Sequence, residues 1–242
     1  MTAALRHFSL DDILERPDVW RGRLAGARLP AVSSGFPALD AELPGGGWPR
    51  GALSELLSDD AGFGECSLLL PALNAAREEG RWAVLIAPPH ALHAPAWVSA
   101  GVDCARLAVL APESPRDLLW AAEQTLVSGA AGVVACWAER AAPGEVRRLQ
   151  VAAAGGQAPA FLFRPRRARA QASAAPLRLL LSPGPQGTLG VELFKRRGPP
   201  CARTIFLELP RPAAWRDDHD ALVARPASAA ALHRGARPLA VA

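Results

Sequence analysis

The chain has 242 residues, half of them hydrophobic, which is enough for one sizeable core with appendages. Its 27 Lys and Arg residues outweigh 23 Asp and Glu by a net +4; nearly all of the positive charge is arginine, suited to planar contacts with phosphates or carboxylates, although the Ala, Arg, Gly and Pro abundance with no Tyr also has the look of a high-GC coding region. Four isolated cysteines, Cys66, Cys104, Cys136 and Cys201, argue against a metal centre or disulfide framework, and no apolar run reaches the roughly 18 residues of a membrane span, so the cytoplasm is the default location.

In chain order, Ser9-Leu10-Asp11-Asp12 has the form of a capping box with Phe8 and Ile13 as a hydrophobic staple, predicting a short helix that ends near Glu15. The stretch from Trp20 and Arg21 to Pro30 is basic and irregular and reads as a linker or docking arm. From Ser33 onward strand and helix alternate: a short helix around Leu39, a glycine turn at 45–47, a strand at 52–57 and a helix at 67–79 ended by Gly80. Strands at 82–87, 106–110, 132–137 and 158–163 follow, with helices at 92–101, 115–128 and 145–154 between them; Ser114 and Gly129 bracket the 115–128 helix as N-cap and stop. Repeated βα units predict a mainly parallel sheet flanked by helices on both faces. After Arg164 a run of small residues and arginines reads as a flexible loop, followed by hairpin strands at 177–181 and 188–194 and a last strand at 204–209. The resulting organisation is an N-terminal helix and arm at 1–32, an α/β core at 33–209, and a flexible Pro/Ala/Arg-rich C-terminal tail at 210–242.

The segment from Asp59 to Cys66 lies between the 52–57 strand and a helix, the context of a phosphate-binding loop of the form G-x-x-x-x-G-K-[ST]. Asp59 occupies the first glycine position, Gly64 is retained, and Glu65 and Cys66 replace the lysine and the hydroxyl residue. A carboxylate repels a triphosphate, and a neutral thiol is a poor ligand for a hard cation. Lys195, far along the chain, is the only lysine, so no other segment supplies the missing cation.

With these elements placed, residues 33–209 resemble the RecA recombinase core, notably "SSGFPALDAELPGGGWPRGALSEL", "REEGRWAVLIAPPHAL", "GVVACWAE" and "VELFKRRGPP". The resemblance implies that the carboxylate orienting an attacking water falls at Pro89 and the Walker B aspartate at Cys136. With Glu65 and Cys66 that makes three losses on one scaffold, and the expectation is a chain without ATPase activity or cofactor. Leu70-Pro71, Trp82, Trp97, Trp137 and Arg164-Pro165 also resemble the SulA cell-division inhibitors. The Asp18-to-Gly22 stretch, "GGGWPRGALSE", "PAWVSAGVD", "LWAAEQTLVSGAAGVV" and "EVRRLQVAAAGGQ" look more like the ImuA family, and the lead-in before 59 and the strands after Arg178 are lacking in SulA-type chains.

The ImuA resemblance implies a non-catalytic member of an SOS-induced translesion-synthesis complex, working with an ImuB-like Y-family polymerase homologue, indirectly with an error-prone C-family polymerase, and with RecA as a further candidate partner. The SulA alternative implies an inhibitor of the tubulin-like division protein. Arg164, Arg166, Arg167 and Arg169 lie where RecA carries a DNA-binding loop, and basic side chains there would give salt-sensitive contacts to phosphate. Lys195, Arg196 and Arg197 match basic residues that reach across the RecA filament interface, with Asp59, Asp60 or Glu65 of a neighbouring subunit as candidate counter-charges. Trp20 and Trp48, in irregular contexts, are further interface candidates, whereas Trp82, Trp97, Trp120 and Trp137 are expected in the core. His90 and His93 have no third ligand or nucleophile and carry no expected chemistry.

Overall fold

A computed structural model describes residues 30–59, 62–199, 201 and 203–209. The expected N-terminal helix, Trp20, Arg21 and the tail helix lie outside the described residues. A small antiparallel ribbon, β1 (Ala31–Val32) with β2 (Trp48–Pro49), brackets helix α1 (Pro37–Asp40) and begins just upstream of Ser33.

The main sheet has eight strands. Its parallel part comprises β3 (Leu53–Leu57), β4 (Trp82–Ile86), β5 (Leu107–Leu110), β6 (Ala131–Trp137), β7 (Ala160–Arg164) and β8 (Leu177–Pro183). Two antiparallel strands, β9 (Leu189–Lys195) and β10 (Thr204–Leu207), extend one side. The order is β10-β9-β8-β3-β7-β6-β4-β5, so the strand that precedes the loop at Asp59 lies in mid-sheet. This is the RecA-like, mainly parallel α/β arrangement that the sequence pattern and the resemblance imply.

Strands β3, β6 and β7 are buried on both faces because helices cover each side; β6 and most of β7 are correspondingly apolar runs, whereas β3 carries Ser54 and Glu55 among its leucines. Helix α2 (Leu70–Glu78) packs Ala72, Leu73 and Ala76 against Leu56, Leu85, Val133 and Phe161 on one face. Helix α3 (Ala94–Ser99) lies beyond β4 and sends Trp97 towards the same cluster. On the other face α4 (Pro115–Ser128) and α5 (Pro143–Ala154) cover Leu53, Ile86, Val134 and Leu162. Strands β8 and β9 read differently: Leu177, Leu179 and Leu181, with Leu189, Val191 and Leu193, join the α2 face, while Arg178, Glu192 and Phe194 point the opposite way. No described helix covers that opposite face of β8 and β9, and the arginine-rich segment does so instead.

That segment is a correction to the expected loop. Residues Arg166–Ala170 form a 3-10 turn with Ala168 fully buried. The Arg178 guanidinium donates to the carbonyls of Ala168 at 2.8 Å and Gln171 at 3.2 Å, and Asp59 Oδ1 accepts the Arg166 N–H at 3.1 Å. An arginine-rich sequence without periodicity is thus held by side-chain-to-backbone bonds that no local signal announces.

Candidate functional site

Parallel α/β sheets place ligand crevices at the carboxyl ends of their strands. Here a cavity of about 300 Å³ opens there, lined by Asp59, Glu65, Ala87, Pro89, Trp137 and Phe163, among others. The structure therefore brings Pro89, from the segment after β4, beside Asp59 and Glu65 of the loop after β3.

The loop after β3 is closed on itself by one of its own side chains. Glu65, only 4% exposed, opens a 3-10 turn and accepts the Gly62 N–H with both carboxylate oxygens, at 2.9 and 3.1 Å. A carboxylate on a backbone amide is the interaction an anionic ligand makes in such loops. Gly64 has φ +103°, and a Cβ built on it would lie 2.0 Å from Leu209 Cδ1, so a side chain arriving after β10 packs directly on the loop. Cys66 is half-buried, and burial, reinforced by the Glu65 charge, pushes its thiol pKa up to about 12. The burial of Glu65 also corrects the expectation that it faces a neighbouring subunit.

The rest of the crevice is apolar. Trp137 stacks on Phe163 with centroids 4.6 Å apart and planes 4° from parallel. Ala87, just before Pro88 and Pro89, adopts φ +52°, a conformation sparsely populated outside glycine, and its N–H donates to Leu110 O at 2.8 Å. Cys136 does not line this cavity: alternation along β6 turns it into the α4–α5 core cluster, 2% exposed, and sends Trp137 to the crevice. Burial pushes the Cys136 thiol up to about 12.

Next to the crevice lies an ion triad absent from the sequence expectations. Glu55, fully buried in mid-β3, pairs with Arg164 Nη1 at 2.8 Å and Arg178 Nε at 2.5 Å. Register explains the meeting: Glu55 sits opposite Leu162 on β7 and Arg178 on β8, and Arg164 is two residues beyond Leu162 on the same face. Arg164 also donates to Ala141 O and Gln171 Oε1, both at 2.7 Å, while its Nε has no partner. The signal available in the sequence was a carboxylate inside an otherwise apolar strand, which a both-faces-buried position tolerates only with a partner.

The triad corrects the expected basic loop. Arg164 is 4% exposed and is not available to phosphate. Arg169 is bidentate to Glu192 at 2.6 and 3.1 Å and lies 4.8 Å over the Phe194 ring; its hydrogen bonds hold the Glu192 carboxyl below the usual range. Arg167 pairs with Glu139 at 3.2 Å, and Arg166 keeps an exposed side chain. Most of the charge of this segment is therefore balanced within the molecule.

The second basic cluster divides similarly. Lys195 Nζ donates to Ser173 O at 2.8 Å, and partial burial together with the Arg178 charge pulls its pKa below the usual lysine value. Arg196, rather than reaching outward, pairs with Glu42 at 2.8 Å and donates to Pro199 O, while Arg203 takes the other Glu42 oxygen at 2.9 Å. Burial raises the Glu42 pKa, but hydrogen bonds and charge from Arg196 and Arg203 outweigh it and hold the carboxyl below its ordinary value. Arg197 is exposed.

The tryptophans need two corrections. Trp48, expected at an interface, is fully buried edge-on to Phe161 with centroids 5.1 Å apart, because the β1–β2 ribbon folds it onto the α2 face. Trp120 and Trp82, expected in the core, are 62% and 44% exposed. On α4 the buried positions are Leu118, Leu119, Ala122 and Leu126, which leaves Trp120 on the opposite side.

Residues 51–160, from the turn before β3 to the first residue of β7, match the family model described as "Cell division inhibitor SulA". The chain is also similar to Protein RecA of Chlorobaculum parvum, 36% identical over 104 residues that cover 43% of this chain and 30% of that one. Protein RecA of Streptococcus pyogenes serotype M49 is 34% identical over 114 residues, 47% of this chain and 30% of the relative. The matched region thus spans under a third of each RecA. No helix among the described residues is long and apolar enough to cross a membrane. The fold and both similarities agree on a RecA/SulA-like α/β domain.

Proposed function

We propose that this protein is a non-catalytic scaffold of the DNA-damage (SOS) response, an ImuA-like accessory factor of translesion synthesis that acts through protein contacts. The observation that carries the non-catalytic part is the Glu65 carboxylate seated on the Gly62 amide, with Leu209 packed on Gly64 and the Trp137–Phe163 stack beside it. A triphosphate would have to displace a buried anion from its donor without any lysine to replace it, and positioning of phosphates with charge neutralisation is most of what such enzymes do. The ImuA reading is supported by β8, β9 and β10 and by the β1–β2 lead-in, all outside the residues matched by the SulA family model.

In this reading the partners are an ImuB-like polymerase homologue, RecA, and, through ImuB, an error-prone C-family polymerase. Direct DNA contact falls mainly to Arg166 and Arg197, the exposed arginines of the two basic clusters without a carboxylate hydrogen bond. The SulA family match favours a second reading, an inhibitor that binds the tubulin-like division protein. Affinity purification from damaged cells separates the two: recovery of the ImuB-like protein or RecA supports the scaffold, and inhibition of division-protein polymerisation by the purified chain supports the inhibitor.

A further inference from the structure

We infer that the outer surface of α4 and α5, with the arginine-lined cavity at its end, docks an acidic amphipathic segment of a partner protein. The two helices pack against each other, and each leaves large apolar side chains in solvent: Trp120 is 62% exposed and Val127 65% on α4, and Val151 is 66% exposed on α5. Trp120 and Val127 are seven residues apart, two turns on one stripe, and Arg116 precedes Trp120 by one turn. Arg147 and Arg148 occupy the exposed stripe of α5 that carries Val151, and Arg148 reaches Glu123 of α4 at 3.4 Å. Exposed apolar side chains bordered by arginine are the composition of an interaction hot spot rather than of an idle surface.

The cavity supplies the electrostatic half. It measures about 670 Å³ and is lined by Arg116, Arg140, Arg164 and Arg167, with Glu139 and Glu145. Both carboxylates are already engaged, Glu139 by Arg167 and Glu145 by the Ala142 N–H at 2.7 Å. Arg116 and Arg140 are exposed and have no hydrogen-bonding or ionic partner among the described residues. Behind them the buried triad holds two guanidiniums on one carboxylate, and the amino ends of α4 and α5, helices of 14 and 12 residues, open at the same place. The excess positive potential selects an anionic group. The apolar stripe beside it selects a protein segment over nucleic acid, because a phosphodiester backbone offers nothing to Val127 and Val151. The inference goes beyond the scaffold reading and does not depend on an empty nucleotide loop.

The test is fluorescence anisotropy with a labelled peptide of Leu and Glu at helical spacing, titrated with the full chain, Trp120→Ala, and the double variant Arg116→Glu/Arg140→Glu. All three altered positions are exposed, so circular dichroism and melting should match the parent. The expected result is saturable binding of the Leu–Glu peptide, weakened about tenfold or more by each variant, with no binding of the corresponding Leu–Lys peptide. Undiminished binding by both variants would overturn the inference. So would competition by oligo(dT) at equal charge with the same loss in the variants, which would assign the surface to nucleic acid.

Discussion

Replacing Glu55 by Gln removes the one negative charge from a site with two buried guanidiniums. Both Glu55 oxygens are used, by Arg164 at 2.8 Å and Arg178 at 2.5 Å, and the three side chains are between 0% and 6% exposed. The substitution keeps the shape, weakens two charge-assisted hydrogen bonds and leaves two like charges facing each other out of water. Breaking a buried ion pair by removing one partner costs about 3–5 kcal/mol. In a domain of this size each kcal/mol moves Tm by about 2–4 °C, so the expected fall is about 6–20 °C. Glu139→Gln is the control: its pair with Arg167 is 78% and 60% exposed, and such pairs contribute about 0–1 kcal/mol. Urea unfolding at neutral pH, read by circular dichroism, gives both values, and the turn at Arg166–Ala170 should become more susceptible to trypsin in Glu55→Gln because Arg178 no longer has its anchor. A loss under about 1 kcal/mol for Glu55→Gln would refute the reasoning, since it would mean that water already screens the triad.

Gly64→Ala should destabilise the chain by about 1–3 kcal/mol, because φ is +103° and the new Cβ meets Leu209 at 2.0 Å; Leu209→Ala relieves the clash but not the backbone, so the double variant recovers only part of the loss in thermal melts. Native thiol labelling at about pH 8 should modify exposed Cys104 quickly, half-buried Cys66, with its thiol raised to about 12, far more slowly, and buried Cys136 only on unfolding, as mass mapping of labelled peptides would show. Glu42 has a lower pKa folded than unfolded, so its stabilising contribution is present above the ordinary carboxylate range and is lost as pH falls through the folded value. Glu42→Gln should therefore lower stability at neutral pH and make little difference below about pH 3, and an equal effect at both would contradict the pairing with Arg196.

The regular part of the fold was legible because several levels of the sequence agree. Ser114, Pro115 and Gly129 mark a cap, a first turn and a stop, and α4 runs from Pro115 to Ser128 with the Ser114 hydroxyl accepting the Asp117 N–H. Burial on both faces made β6 and β7 continuous apolar runs, and the helices between them dictated parallel pairing. What escaped was decided by long-range register. Glu55 precedes Arg164 by 109 residues and Arg178 by 123, and it meets them only because β3 lies between β7 and β8. Strand phase decided that Trp137 rather than Cys136 faces the crevice, and a two-residue ribbon carried Trp48 into the core. The strand-to-helix turn from Asp59 to Cys66 was legible as a turn, yet the seat of Glu65 on the Gly62 amide and the approach of Leu209 from beyond β10 are tertiary facts.

The central proposal, a nucleotide loop filled by the protein's own carboxylate, is tested most directly by titrating the purified chain with Mg-ATP in a calorimeter while following its melting temperature. The expected result is no heat of binding and no shift in Tm at millimolar nucleotide. Saturable, magnesium-dependent binding accompanied by a rise in Tm, and abolished by displacing Leu209 with a bulkier side chain, would show that Glu65 yields the loop to phosphate and would contradict the proposal.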